Sequence, residues 1–180
     1  YYHVWGDLIM KIKNRIFSCF KRAKTDGRAV IIGIIIVFFA GVLSRLLSGS
    51  PIYMLRFCGL WNKVPKAWVF TLIWSFWYIF LGFCFGFVLG SKPIGREVSK
   101  YKGSLWFVIM LVFNVIWYPL FFKAGAIFIA LIDVIVIMLF CFLCAVEYFK
   151  VYRAIGVCIF LHFAWLIWCF FMNAAAFFRI

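Results

Sequence analysis

Five long apolar runs dominate the chain, separated by short stretches rich in Lys and Arg. They cover residues 29–47, 68–90, 104–122, 124–146 and 154–178. Each reaches or approaches the roughly 20 residues that carry an α-helix across a bilayer. They are too long for transmembrane strands and lack strict alternation. The first run carries Arg45 near its end, where a long side chain can snorkel to the interface. The second and third carry no charge, the fourth carries Asp133 and the fifth carries His162. The pattern predicts an all-α membrane protein, a five-transmembrane-helix bundle over residues 29–178. A cleaved signal peptide does not explain the first run, because it is long and four more follow.

Residues 1–28 form a basic N-terminal extension. The chain starts at Tyr1, and Met10 followed by Lys11, Lys13 and Arg15 resembles a natural start, so residues 1–9 are given no role. Ile12, Ile16 and Phe20 recur every four residues among cations. They fit a surface helix on anionic lipid, or a basic tail that only enforces topology. The connection 48–67 is the long one, and it is apolar for a loop, with Ile52, Tyr53, Leu55, Phe57 and Trp61. It is expected to fold back as a lid or to lie on the lipid interface.

Composition excludes an ordinary soluble domain. The chain is 68% hydrophobic and 13% charged, against roughly 45–50% and about 25% for soluble domains. The net charge of +14 therefore reports on topology and anionic lipid before nucleic acid, for which there is no motif. The N-terminal segment and the loops after spans two and four hold 13 of the cations, and the opposite side holds 6. The positive-inside rule then puts the N-terminus in the cytoplasm and the C-terminus outside. A bacterial inner membrane is the expected location, with an organelle membrane as the alternative.

Within the spans, Gly82, Gly86 and Gly90 make a groove on one helix face that suits helix packing or dimerisation. Seven cysteines scattered through apolar sequence argue against a disulfide framework. Cys141 and Cys144 have no second pair at metal spacing, so they read as small buried side chains.

The aromatic residues carry the functional signal. Trp61, Trp68 and Trp106 fit the membrane interface. Trp74, Trp77, Trp117, Trp165 and Trp168 lie too deep for that, and a buried indole N–H wants an acceptor. Phe70, Trp74, Trp77 and Tyr78 share one stripe; Asn114, Trp117, Tyr118 and Phe121 share another; His162, Trp165 and Cys169 share a third, with Asn173 nearby. Polar groups at membrane depth face the bundle interior. Asn114, Asp133, His162 and Asn173 thus either tie helices together or orient a ligand between aromatic walls. Such walls suit a large, planar, hydrophobic molecule. Pro119 removes one backbone hydrogen bond and crowds the Val115 carbonyl, which kinks the third helix or ends it.

These residues resemble the translocator protein and tryptophan-rich sensory protein family (TspO/MBR). Residues 113–122, Phe-Asn-Val-Ile-Trp-Tyr-Pro-Leu-Phe-Phe, are similar to its Leu-Asn-x-x-Trp-x-Pro-x-Phe-Phe signature, and Asp133 follows at the family's spacing. Pro65 and Trp68 with Trp74, Tyr78 and Gly82 are similar to its second-helix pattern, and Trp165 with Asn173 to its fifth. The resemblance implies a five-helix bundle, often dimeric, that binds porphyrin, haem or another hydrophobic small molecule, with no obligatory cofactor. It implies a pocket of Phe70, Thr71, Ile73, Trp74, Asn114, Trp117, Ile129, Val136, Trp165 and Cys169. Asp133 and Asn173 would be structural polar residues.

Three functions fit these residues. The first is a tetrapyrrole receptor, sensor or carrier, the macrocycle stacked on Trp74 and Trp165, its propionates meeting Arg56, Lys63 and Lys66 at the pocket mouth. The second is an enzyme that degrades porphyrin with light or oxidant through redox-active Trp74 and Trp165. The third is a structural membrane protein. His162 could ligate haem iron or hydrogen-bond a neighbouring helix.

Overall fold

A computed structural model describes residues 25–48 and 67–178. The basic tail, the 49–66 part of the long loop, and with it Arg56, Lys63 and Lys66, lie outside the described residues, as does the side chain of Phe70. Among the described residues, five helices are long and apolar enough to cross a membrane. They are α1 (Gly27–Ser48), α2 (Ala67–Gly90), α3 (Glu97–Phe122), α4 (Ile127–Val151) and α5 (Arg153–Phe177). The chain is an all-α, five-helix membrane bundle.

Helix α1 packs on α2 and α3, α3 on α4, α4 on α5, and α5 on α2, which closes the ring. Helices α2 and α3 also touch across it, where Phe85 stacks on Phe107 with ring centroids 4.5 Å apart. Leu81, Phe107, Met110, Ile137, Ile159 and Leu166 are fully buried, whereas Ile32, Phe39, Leu46, Phe76 and Phe171 face outward. In a membrane this outward apolar shell meets lipid rather than water.

The groove of Gly82, Gly86 and Gly90 is filled by α1. A Cβ on Gly86 would lie 2.6 Å from the Ala29 carbonyl oxygen, and one on Gly82 would lie 2.7 Å from the Ile34 Cα. Gly33 of α1 answers from the other side, where a Cβ would lie 2.6 Å from the Gly86 Cα. Two backbones approach this closely only because neither carries a side chain there.

Two helix limits differ from the apolar runs. Helix α3 begins at Glu97, ahead of the apolar start at 104. The membrane boundary does not stop a helix, and the Lys100 ammonium in this extra turn donates to the carbonyls of Leu89 and Ser91, both at 2.7 Å. Those carbonyls lie at the C-terminal end of α2, where a cation is favourable. Helix α4 begins later, at Ile127, after a turn in which Gly125 adopts φ 63, a left-handed conformation that glycine takes at little cost. It then runs on past 146 to Val151 through a Lys150–Glu147 ion pair at 2.8 Å. Only Tyr152, extended at φ -139 and ψ 111, separates α4 from α5. The Pro119 alternatives also resolve: α3 continues through the proline to Phe122.

Candidate functional site

The aromatic stripes of α2, α3 and α5 meet in one cluster. Trp74 stacks on Trp117, with centroids 5.6 Å apart and planes 27° apart. It meets Trp165 edge-on at 6.2 Å. Trp117 stacks on Phe121 at 5.6 Å. Trp165 stacks on Trp168 at 4.8 Å and lies 6.0 Å from Trp77. Such pairs contribute about 0.5–1.5 kcal/mol each beyond burial, so the rings hold one another as well as lining space.

The deep asparagines tie helices together. The Trp117 indole N–H donates to Asn173 Oδ1 at 3.2 Å, and Asn173 Nδ2 donates to the Cys169 carbonyl at 2.8 Å. The Tyr78 hydroxyl donates to Asn114 Oδ1 at 2.9 Å. Other buried polar atoms have no hydrogen-bond partner among the described residues: both ring nitrogens of His162, the Trp165 indole nitrogen and Asp133 Oδ2. His162 is fully buried and its ring packs against Trp77 at 4.9 Å.

Beside the cluster, α1, α2 and the end of α3 border a half-open cavity of about 140 Å³. Helix α1 contributes Phe38, Gly41, Ser44 and Arg45; α2 contributes Thr71, Trp74, Ser75 and Tyr78; α3 contributes Tyr118. Trp74 belongs to both cavity and cluster. Gly41 makes room for the Tyr78 ring, which a Cβ at that position would overlap.

Of the residues expected to form the pocket, Thr71 and Trp74 line this cavity. Trp117 and Trp165 lie in the ring cluster behind it, with Asn114 bonded to the cavity-lining Tyr78 and Cys169 bonded to Asn173. Ile73 and Val136 are half-buried and do not line it. Ile129 is 54% exposed and lies with Phe128 and Phe177 along an outer groove at the start of α4. The expectation drew on spans two to five and so missed the α1 wall. A signal was present: Gly33, Val37, Gly41, Ser44 and Ser48 recur at helical spacing as a small-residue face. Arg45, read as an interfacial anchor, is half-buried in the cavity wall.

Among the described residues, Cys84, Cys141, Cys144, Cys158 and Cys169 are free thiols, and no group of three or more His, Cys, Asp or Glu side chains is placed to hold a metal ion. His162 lines none of the described cavities.

Comparison with curated proteins gives no significant match. The profile of the TspO/MBR family matches residues 29–179, the whole five-helix region. Five membrane-length helices and deep tryptophans on three of them accord with that match, and the chain belongs to the TspO/MBR family.

Proposed function

We propose that this protein binds planar hydrophobic ligands of the tetrapyrrole class, porphyrin or haem, as a membrane receptor, sensor or carrier. The observation that carries the reading is the double membership of Trp74, which walls the α1–α2–α3 cavity and also stacks into the ring cluster. A ligand in the cavity touches one face of a continuous aromatic system. The cavity is about 140 Å³, below the roughly 300–1,000 Å³ of pockets that enclose drug-sized molecules. Binding a macrocycle therefore requires the surrounding rings to part. Trp74 and Trp165 meet edge-on at 6.2 Å, which leaves no slot between them, so the macrocycle lies on the cavity side of Trp74.

In this reading the N-terminus is cytoplasmic, as 13 cations against 6 favour. The cavity, at the C-terminal end of α1 and the N-terminal half of α2, then lies toward the non-cytoplasmic side, a bacterial inner membrane being the expected setting. Membrane lipid surrounds the bundle, and a homodimer would use faces other than the glycine groove.

Titration of the purified protein with protoporphyrin, followed by tryptophan fluorescence, tests the proposal. Saturable quenching is expected, with weaker affinity in Trp74→Phe and in the Trp74→Phe/Trp165→Phe double variant. A wild-type binding constant in the double variant overturns this placement.

A second reading is porphyrin degradation, favoured by the run of indoles from Trp74 through Trp165 to Trp168. Turnover under illumination, with a new bilin-like absorption band lost in the Trp74→Phe and Trp165→Phe variants, would support it. Stoichiometric bleaching alone would reject it.

A further inference from the structure

Helices α2 and α5 run antiparallel, and ring contacts fix the register between them. Phe87 meets Tyr152 at 5.5 Å, and Trp77 lies 4.9 Å from His162 and 6.0 Å from Trp165. Two helical turns, seven residues, separate Trp77 from Cys84 on α2 and Trp165 from Cys158 on α5. The two cysteines therefore stand on the faces that carry the Trp77–Trp165 contact, nearer the Phe87–Tyr152 end. Their thiols are in hydrogen-bonding contact.

The two sulfurs differ in access. Cys84 is fully buried, whereas Cys158 is half-buried. The other described thiols are placed differently. Cys141 directs its S–H to the Ile159 carbonyl at 3.7 Å, Cys144 is fully buried on α4, and Cys169 lies toward the opposite end of α5. Cys84 and Cys158 each lie within about 10 Å of a helix end, Gly90 for one and Arg153 for the other. With the N-terminus cytoplasmic, as proposed, those ends face the cytoplasm, where thiols are held reduced. The dithiol is then the resting form, and a disulfide between the two is a response to oxidant rather than a framework.

We infer that Cys84 and Cys158 form a peroxide-responsive dithiol, which hydrogen peroxide oxidises to a disulfide tying α2 to α5. Cys158, the accessible sulfur, gives up its proton and attacks one peroxide oxygen. The O–O bond breaks, Cys158 becomes a sulfenic acid, and the second oxygen leaves as hydroxide and takes up a proton to give water. The Cys84 sulfur then attacks the sulfenic sulfur. The S–O bond breaks, the S–S bond forms, and the departing hydroxide takes the Cys84 proton as a second water. Two thiols lose two electrons in all, and one peroxide is reduced to two waters. Contact between the sulfurs lets Cys84 resolve the sulfenic acid before further peroxide carries it to the irreversible sulfinic acid. The inference stands apart from the tetrapyrrole reading, since the chemistry needs no bound ligand.

The test treats the reduced, full-length protein in detergent with hydrogen peroxide, alkylates remaining thiols in denaturant, and maps linked peptides by mass spectrometry. A Cys84–Cys158 peptide is expected within one chain, increasing with peroxide and lost on reduction with dithiothreitol. In Cys84→Ser, which removes the resolving sulfur and keeps its shape, Cys158 should instead be labelled by dimedone, a trap for sulfenic acid. In Cys158→Ser, Cys84 should stay reduced at the same dose. The wild-type map decides the proposal where either variant fails to fold, as judged by helical circular dichroism. The proposal is overturned if peroxide leaves Cys84 and Cys158 open to alkylation, or if Cys84 pairs with Cys144 or with another chain instead. Oxidation of Cys84 in Cys158→Ser at the wild-type dose also overturns it.

Discussion

The Ser44 hydroxyl of α1 donates to the Val115 carbonyl of α3 at 2.9 Å. Pro119 lies four residues after Val115 and has no N–H to give that carbonyl. Ser44 thus supplies the hydrogen bond that the proline removes, which is how α3 continues past Pro119 in an apolar setting. The same side chain walls the cavity, so the repair of α3 and the floor of the site share one residue.

Ser44→Ala leaves the Val115 carbonyl unpaired and is expected to cost about 1 kcal/mol, the low end for a stranded buried acceptor. Pro119→Ala restores a helical N–H to it. The double variant should therefore recover most of the loss in thermal unfolding in detergent. Additive destabilisation would mean that the two residues are not coupled.

Gly86→Ala puts a methyl group 2.6 Å from the Ala29 carbonyl oxygen. Overpacking of this sort costs about 1–3 kcal/mol. Thermal stability should fall while oligomeric state, read by light scattering, stays unchanged. A variant that keeps its stability but changes oligomeric state would show the glycine face pairing between chains instead.

Asn173 accepts from Trp117 and donates to the Cys169 carbonyl. Asn173→Leu strands the indole N–H behind Trp74 and is expected to cost about 1–3 kcal/mol. Porphyrin affinity should weaken with it, since the ring that backs Trp74 loses its anchor. Asn173→Gln keeps both the acceptor and the donor without adding charge and should lie closer to wild type. Equal losses in both variants would place the effect in side-chain shape rather than hydrogen bonding.

His162→Phe replaces a fully buried imidazole, with no nitrogen partner among the described residues, by a ring that needs none. The variant should be at least as stable as wild type, and the haem Soret band should not move, because His162 does not line the α1–α2–α3 cavity in which the ligand is placed. A displaced Soret band with protoporphyrin binding intact would instead assign His162 to the iron.

The five helices were legible because each apolar run is long enough to span a bilayer, and length is a strong signal. The cluster was legible because aromatic and polar residues spaced three, four and seven apart, such as Trp74 with Trp77 and Tyr78 or Asn114 with Trp117 and Phe121, must share helix faces. The phase of α4 was not. Ile129 and Val136 share a stripe with Asp133, but the inward face centres one residue later, on Ala130, Val134, Ile137 and Cys141. A helix apolar all round gives no polar face from which to read that rotation. The α1 wall stayed hidden for a different reason. Gly41 and Ser44 act by being small, and Arg45 looks like any interfacial cation until its neighbours are known.

Helix α2 is held firmly at its C-terminal end. The Gly90 carbonyl accepts from the Asp26 backbone at 3.1 Å, and Lys100 grips the carbonyls of Leu89 and Ser91. Trp74 sits sixteen residues away, a lever arm of ~24 Å at the rise of an α-helix. A tilt of about 5° at Gly90 then swings the Trp74 ring by about 2 Å over that arm. Rotation of this rod about its clamped foot is the motion that would widen the cavity, with the Phe85–Phe107 stack, close to the foot, displaced least.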